Sequence, residues 1–184
     1  MDESLRNKFM GVSVATLATA LFKRGLRNQV IQGVNPVKAK GVNMVGPAYT
    51  LRYIPAREDR NQLSEFRNPE HPQRVAVEQC PPGHVLVMDS RKDARAATAG
   101  SILITRLALR GAAGVVSDGG FRDVDVGKRF AKIDLCRGGE TVCTLTQINL
   151  IEINLEDLVL AQVLFNLDRE QGFINFSFQR LFAR

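Results

Sequence analysis

The sequence predicts an α/β fold in which buried strands are joined by a helical crossover. Three observations predict it. "HVLVMD", His84 to Asp89, is a short apolar run between turn residues, the pattern of a strand covered on both faces. "ATAGSILITRLALRG", Ala97 to Gly111, carries apolar residues at helical spacing. "AGVVSDGG" is a second short apolar run, closed by Gly119 and Gly120. Strand, helix and strand within one unit imply a right-handed βαβ crossover whose two strands share an end.

Each element follows from its residues. "SVATLATALFKRGL" is an amphipathic helix with Val14, Leu17, Leu21 and Phe22 on its apolar side, Ser13 as N-cap and Gly25 as stop. "NMVGPAYTLRYIP" is a strand, with partial alternation at Thr50, Arg52 and Tyr53, ended by Pro55. "AREDRNQLSEFRNPEHPQR" is charged and holds two prolines, so it is an exposed excursion with a short helix inside. "RVAVEQC" is a further helical turn closed by Pro81, Pro82 and Gly83. In the crossover, Ala99, Leu103 and Leu107 line one side, Ile102 and Ile104 widen it, and Thr98, Ser101 and Thr105 form a polar stripe. Gly111 stops this helix. Beyond Asp125, "TVCTLTQINLIEINLEDLVLAQVLFNL" and "GFINFSF" read as several strands.

Composition sets the class. A chain of 184 residues suits one domain, 1–184, with a core that needs no staples. No apolar run is long enough to span a bilayer, and "MDESLRNKF" is charged where a secretory leader is apolar. A cytoplasmic protein without a membrane partner is expected. Cys80, Cys136 and Cys143 form no CxxC pair and read as free thiols in a reducing compartment. Two histidines, His71 and His84, leave little material for a His-rich metal site or a Ser-His-Asp triad. His84 precedes a buried strand and reads as structural. The net charge of +6 comes from basic residues scattered among acids, as in "AREDR" and "SRKDAR". That is a solvated surface with a positive bias, suited to a small anionic substrate rather than to nucleic acid.

Chemistry is sought beyond the carboxyl ends of the strands, where open α/β sheets bind ligands. Two segments lie there, Asp89 to Arg95 and Asp118 to Asp125. Gly119 and Gly120 allow positive φ and a sharp exit, which presents Arg122 and Asp123 at the mouth. Arginine offers a planar fork for a carboxylate, and aspartate offers hard oxygen for Mg²⁺ or Mn²⁺. Together they suit a 2-oxo acid; an ordinary surface ion pair is the competing reading. Gly100 either opens a helix, leaving free N–H groups for an anion, or lies inside one that starts near Asp93. Asp89, Arg91, Asp93 and Arg95 alternate in sign and read either as a solvated loop network or as residues holding the mouth.

The stretch "PPGHVLVMDSRKDARAATAGSILITRLALRGAAGVVSDGGFRDVD" resembles the RraA-like family. That family includes the regulator of ribonuclease activity A and the class II, metal-dependent 4-hydroxy-4-methyl-2-oxoglutarate aldolases. "SVATLATALFKRG", "QGVNPV" and "MVGPAYTLRYIPARED" extend the resemblance from about Ser13 to Val126. It implies a layered α/β sandwich of the swivelling phosphohistidine-domain type with a mixed central sheet. It implies a substrate loop at Gly100, Ser101, Ile102 and Leu103, whose amides hold the carboxylate of pyruvate or oxaloacetate. It places the substrate arginine at Arg122 and the ligand for Mg²⁺ or Mn²⁺ at Asp123, which together stabilise a pyruvate enolate. It also implies a homotrimer or hexamer, and a ribonuclease as the partner of a non-catalytic regulator. The chain departs from the pattern at Ser101, where the aldolases often carry an acid, and from about residue 127 onward. The menaquinone methyltransferase label attached to such sequences finds no glycine-rich nucleotide loop here.

Overall fold

The computed structural model describes residues 1–27, 29, 34–36, 43–55, 57, 59–95, 97–123, 134–138, 150–152 and 162–165. Three of the expected strands form the middle of the sheet. β2 (Met44–Ile54) and β3 (Val85–Asp89) are parallel, with Ala48 opposite Val85 and Arg52 opposite Asp89. β5 (Gly114–Ser117) is parallel to β3, from Val85 opposite Gly114 to Met88 opposite Ser117. β7 (Asp134–Gly138) continues the parallel set beside β5. The strands at the margins run the other way. β1 (Val34–Pro36) is antiparallel to β7, while β8 (Leu150–Glu152) and β9 (Gln162–Phe165) are antiparallel to different parts of β2. The sheet order is β1-β7-β5-β3-β2-β8, a mixed sheet with a parallel centre. β3 and β5 are buried along nearly their whole length, which is why they read as continuous apolar runs.

Four helices lie among the described residues. α1 (Glu3–Met10) was not anticipated as an element; its sequence is charged and none of its residues is buried. It is held from outside: the Asn43 amide donates to the carbonyls of Met10 and Val12, both at 3.0 Å. α2 (Val14–Lys23) starts at the expected cap, where Ser13 Oγ accepts from the Thr16 N–H at 3.2 Å. Phe22 departs from the expected apolar side; it is 57% exposed, with the Arg27 guanidinium over its ring. The charged excursion holds a 3₁₀ turn at Leu63–Arg67, and α3 (Pro72–Gln79) follows it.

The crossover helix is shorter than its sequence suggests. Ala97–Ala99 is a strand, β4, paired in parallel with β6 (Gly120–Phe121), and α4 spans Ser101–Leu109. Ala99 and Thr98 therefore do not lie on the helix, and the polar stripe through Thr98 does not exist. Thr98 is fully buried and bonded to Gly120, a tertiary partner that sequence periodicity cannot register. Of the two readings of Gly100, the helix start holds: Gly100 is the N-cap of α4. The core lies between the sheet and α3 and α4, around Leu51, Leu86, Val115, Ile104, Leu107 and Phe121. No helix among the described residues is long and apolar enough to cross a membrane.

Candidate active site

Because β3 and β5 are parallel neighbours, their exits lie at one end of the sheet. Asp118 fastens the two exits together. Its carboxylate accepts from the Ser90 N–H at 2.6 Å and the Lys92 N–H at 2.9 Å. Asp89 accepts from the Arg91 N–H at 2.9 Å and pairs with Arg52 at 3.0 Å. Asp93 pairs with Arg95 at 2.8 Å, and that hydrogen bond holds the Asp93 carboxyl below its ordinary range. The sign-alternating residues thus bond in two pairs, Asp89 with Arg91 and Asp93 with Arg95, while Asp89 also reaches Arg52; Arg91 and the adjacent Lys92 both take positive φ.

The glycine exit works differently from the sequence expectation. Neither Gly119 nor Gly120 takes positive φ; Asp123 does, at 58°. Gly119 is needed for space, since a Cβ there would lie 2.6 Å from Ser90 Oγ. Gly120 extends into β6, which runs beside β4 until the Arg122 N–H donates to the Ala99 carbonyl at 3.1 Å.

That last bond sets Arg122 and Asp123 against Gly100. A Cβ on Gly100 would lie 2.9 Å from Arg122 Nε and 3.0 Å from Asp123 Oδ2. Arg122 Nε and Asp123 Oδ2 are 3.6 Å apart, and the two side chains are 42% and 41% exposed. Ser101, Ile102 and Leu103 form the first turn of α4 directly beyond Gly100. The first hydrogen bond of α4 runs from the Ile104 N–H to the Gly100 carbonyl, and no side chain caps the helix. The amides of Ser101, Ile102 and Leu103 therefore precede the intrahelical ladder, as anion-binding amides do. Ile102 is 80% exposed there. All six residues singled out from the sequence fall at this one corner, with the Arg122 and Asp123 side chains packed into the space that the missing Gly100 side chain leaves. Among the described residues no group of three or more His, Cys, Asp or Glu side chains gathers to hold a metal.

Sequence reasoning missed the layer behind this corner. The Tyr53 hydroxyl donates to the Thr98 carbonyl at 2.6 Å, and Gln73 Nε2 donates to the same oxygen at 2.7 Å. Burial pushes the Tyr53 hydroxyl above its ordinary pKa, so it stays protonated and donating. The one signal available was a β-branched, hydrogen-bonding Thr98 set between small alanines just before Gly100.

A family model described as RraA-like, Aldolase/RraA, matches residues 14–137. The chain belongs to the RraA-like family. Solved structures share the fold of this RraA-like chain. Streptomyces coelicolor RraAS2, described as an unusual member of the RNase ES inhibitor RraA protein family, superposes with a TM-score of 0.72 at 24% identity, over 96% of this chain and 86% of that one. The RNA-processing inhibitor RraA from Thermus thermophilus superposes at 0.58 and 22% identity, over 95% and 98% of the two chains. A protein from Geobacillus kaustophilus described as an S-adenosylmethionine:2-dimethylmenaquinone methyltransferase superposes at 0.57 and 24% identity, over 94% and 99%.

Proposed function

We propose that this RraA-like protein is a divalent-metal-dependent lyase acting on a 2-oxo acid. It releases pyruvate by retro-aldol cleavage of a 4-hydroxy-4-methyl-2-oxoglutarate-like substrate, or it decarboxylates oxaloacetate. The observation that carries this reading is that the Arg122 and Asp123 side chains lie where a Cβ on Gly100 would be, at the open start of α4. The amides of Ser101, Ile102 and Leu103 bind the substrate carboxylate. Arg122 faces the keto oxygen and stabilises the charge that develops there as the carbon–carbon bond breaks. It does so as a fixed cation, because a guanidinium does not give up its proton in this pH range. The bare Gly100 lets the Arg122 and Asp123 side chains lie close beside these amides.

Asp123 is the residue that would hold Mg²⁺ or Mn²⁺. One half-exposed carboxylate fits such an ion, which usually keeps several waters, and does not fit a cage of protein ligands. When bound, the ion supplies Lewis-acid polarisation of the keto oxygen. The proposal extends to a sandwich of the swivelling phosphohistidine-domain type, one domain over 1–184, a cytoplasmic location and a homotrimer or hexamer. The parallel strands β2, β3, β5 and β7 support the fold part of it.

The test is a panel of 2-oxo acids assayed for pyruvate with and without Mg²⁺ or Mn²⁺. Asp123→Ala is expected to abolish the metal-dependent rate. Arg122→Lys, which keeps the charge and loses the fork, is expected to lower kcat/KM by about 10²-fold. Activity unchanged by EDTA, or by Asp123→Ala in folded protein, would sink the reading. A second reading is a regulator that docks on a ribonuclease without catalysis. The inhibitor descriptions of two structural relatives favour it, as does Ser101 in place of an acid. It predicts that a pull-down recovers a ribonuclease while all 2-oxo acids remain uncleaved.

A further inference from the structure

We propose that Thr98 is a positioning residue, which fixes the Gly100 loop against Arg122 and Asp123 through a bulge between β4 and β6. The inference rests on the site described under Proposed function, and it concerns how that site is kept aligned. The two halves of the corner come from different segments. One is the amide loop after β4; the other is the charged pair after β6. Their register is set by only a few residues. Ala97 lies opposite Gly120 and Ala99 opposite Phe121, so β4 advances two residues while β6 advances one. The extra residue is Thr98.

A bulge removes its residue from the ladder and commonly leaves its backbone groups short of partners. Here both deficits are met from elsewhere. The Thr98 carbonyl accepts from Tyr53 on β2 and Gln73 on α3, and Gln73 also reaches the Tyr53 hydroxyl at 3.0 Å. On the other side, the Thr98 hydroxyl reaches the Gly120 carbonyl at 2.9 Å and Ser117 Oγ at 3.0 Å. Ser117 Oγ in turn accepts from the Gly119 N–H at 3.0 Å. Thr98 and Ser117 are both 0% exposed, so these bonds do not compete with water. One side chain therefore ties the strand that leads into Gly100 to the strand that leads into Arg122. The Tyr53 and Gln73 bonds anchor that tie to the main sheet and to α3.

Misalignment is expected to weaken any ligand that touches both halves at once. A displacement of about 1 Å can cost ~10²-fold in a reaction that depends on such alignment. The experiment uses oxalate, a flat dianion, titrated calorimetrically into the full chain with Mg²⁺, alongside oxaloacetate turnover. Thr98→Val keeps the shape and removes the hydroxyl. It is expected to weaken oxalate and lower kcat by about tenfold or more, while Thr98→Ser stays within about twofold of the wild type. A folded Thr98→Val that loses thermal stability but keeps its oxalate affinity and kcat would overturn the proposal, since that is the behaviour of a purely structural residue. Should Thr98→Val not fold, Tyr53→Phe carries the test. It leaves the Thr98 carbonyl with Gln73 alone, and an unchanged oxalate affinity would overturn the proposal equally. Oxalate binding without turnover in the wild type would sink the lyase reading and leave Thr98 to be judged by affinity. Failure of the wild type to bind oxalate would sink both.

Discussion

Gly100 and Gly119 lack a side chain for different reasons, and substitution separates them. At Gly100 the backbone is extended, with φ −121° and ψ 179°, which alanine also adopts. The atoms that a Cβ would meet there are Arg122 Nε and Cγ and Asp123 Oδ2, all on half-exposed side chains. Gly100→Ala is therefore expected to cost only about 0.5–1 kcal/mol, the preference for Gly over Ala at an N-cap. Oxalate affinity should nevertheless fall by at least tenfold, because the Cβ displaces both charged groups. A titration showing full affinity would mean that the corner is not a binding site. At Gly119 the obstacle is the packed loop after β3, with Ser90 Cβ 2.7 Å and the Asp93 carbonyl 3.1 Å from a Cβ. Gly119→Ala is expected to destabilise the fold by about 1–3 kcal/mol in urea denaturation, as overpacking does. The positive φ anticipated at the glycines falls instead on Asp123, a residue type that tolerates it better than most.

At the scale of elements, what was legible depended on how locally each element is determined. β3 and β5 announce themselves because burial on both faces demands uninterrupted apolar runs, and β2 through its alternation from Thr50 to Tyr53. α2 announces itself through Ser13 and its helical spacing. β4 and β6 do not, because three and two residues hold their pairing through Thr98, whose partners lie about 20 to 45 positions away in sequence. "GFINFSF" and Cys143 lie outside the described residues. The contact between α3 and α4 was equally silent in sequence. Glu78 on α3 accepts from Arg106 at 2.8 and 2.7 Å and from Arg110 at 3.3 Å. The Arg106 hydrogen bonds, then the positive field of both arginines, hold the Glu78 carboxyl below its ordinary range. A depressed folded pKa contributes stability above the unfolded value, about 4.3, and loses it as pH falls through the folded one. Glu78→Gln should therefore melt slightly earlier than wild type at neutral pH, by a small margin since the groups are exposed. The two melting temperatures should converge as pH drops below about 4. A gap that persists or widens in acid would show that the pair is not what joins these helices.

Over the whole molecule, the sheet order explains why residues 100 and 122, far apart in sequence, share a corner. Parallel β3 and β5 bring their exits to one end, and α4 starts from that end before it runs back to where β3 and β5 begin. That much followed from three apolar runs; the contact itself needed the β4–β6 pair. The same layering seals Cys80. It is 0% exposed, within the core cluster that includes Leu51, Leu107 and Val115. Burial pushes its thiol up to about 11, with the Arg110 charge acting against that rise. At pH 8 such a thiol is about one part in a thousand ionised, and no alkylating reagent reaches it while α3 and α4 remain on the sheet. Labelling of Cys80 should then require the layers to separate, so its rate should follow the unfolded population. Peptide-resolved iodoacetamide labelling across a urea series tests this. The Cys80 peptide is expected to stay unmodified until the far-UV signal begins to fall, and then to rise with it. Alkylation in native buffer at the rate of a free thiol would mean that α3 opens by itself, and that the Gln73 anchor behind the site is looser than its hydrogen bonds imply.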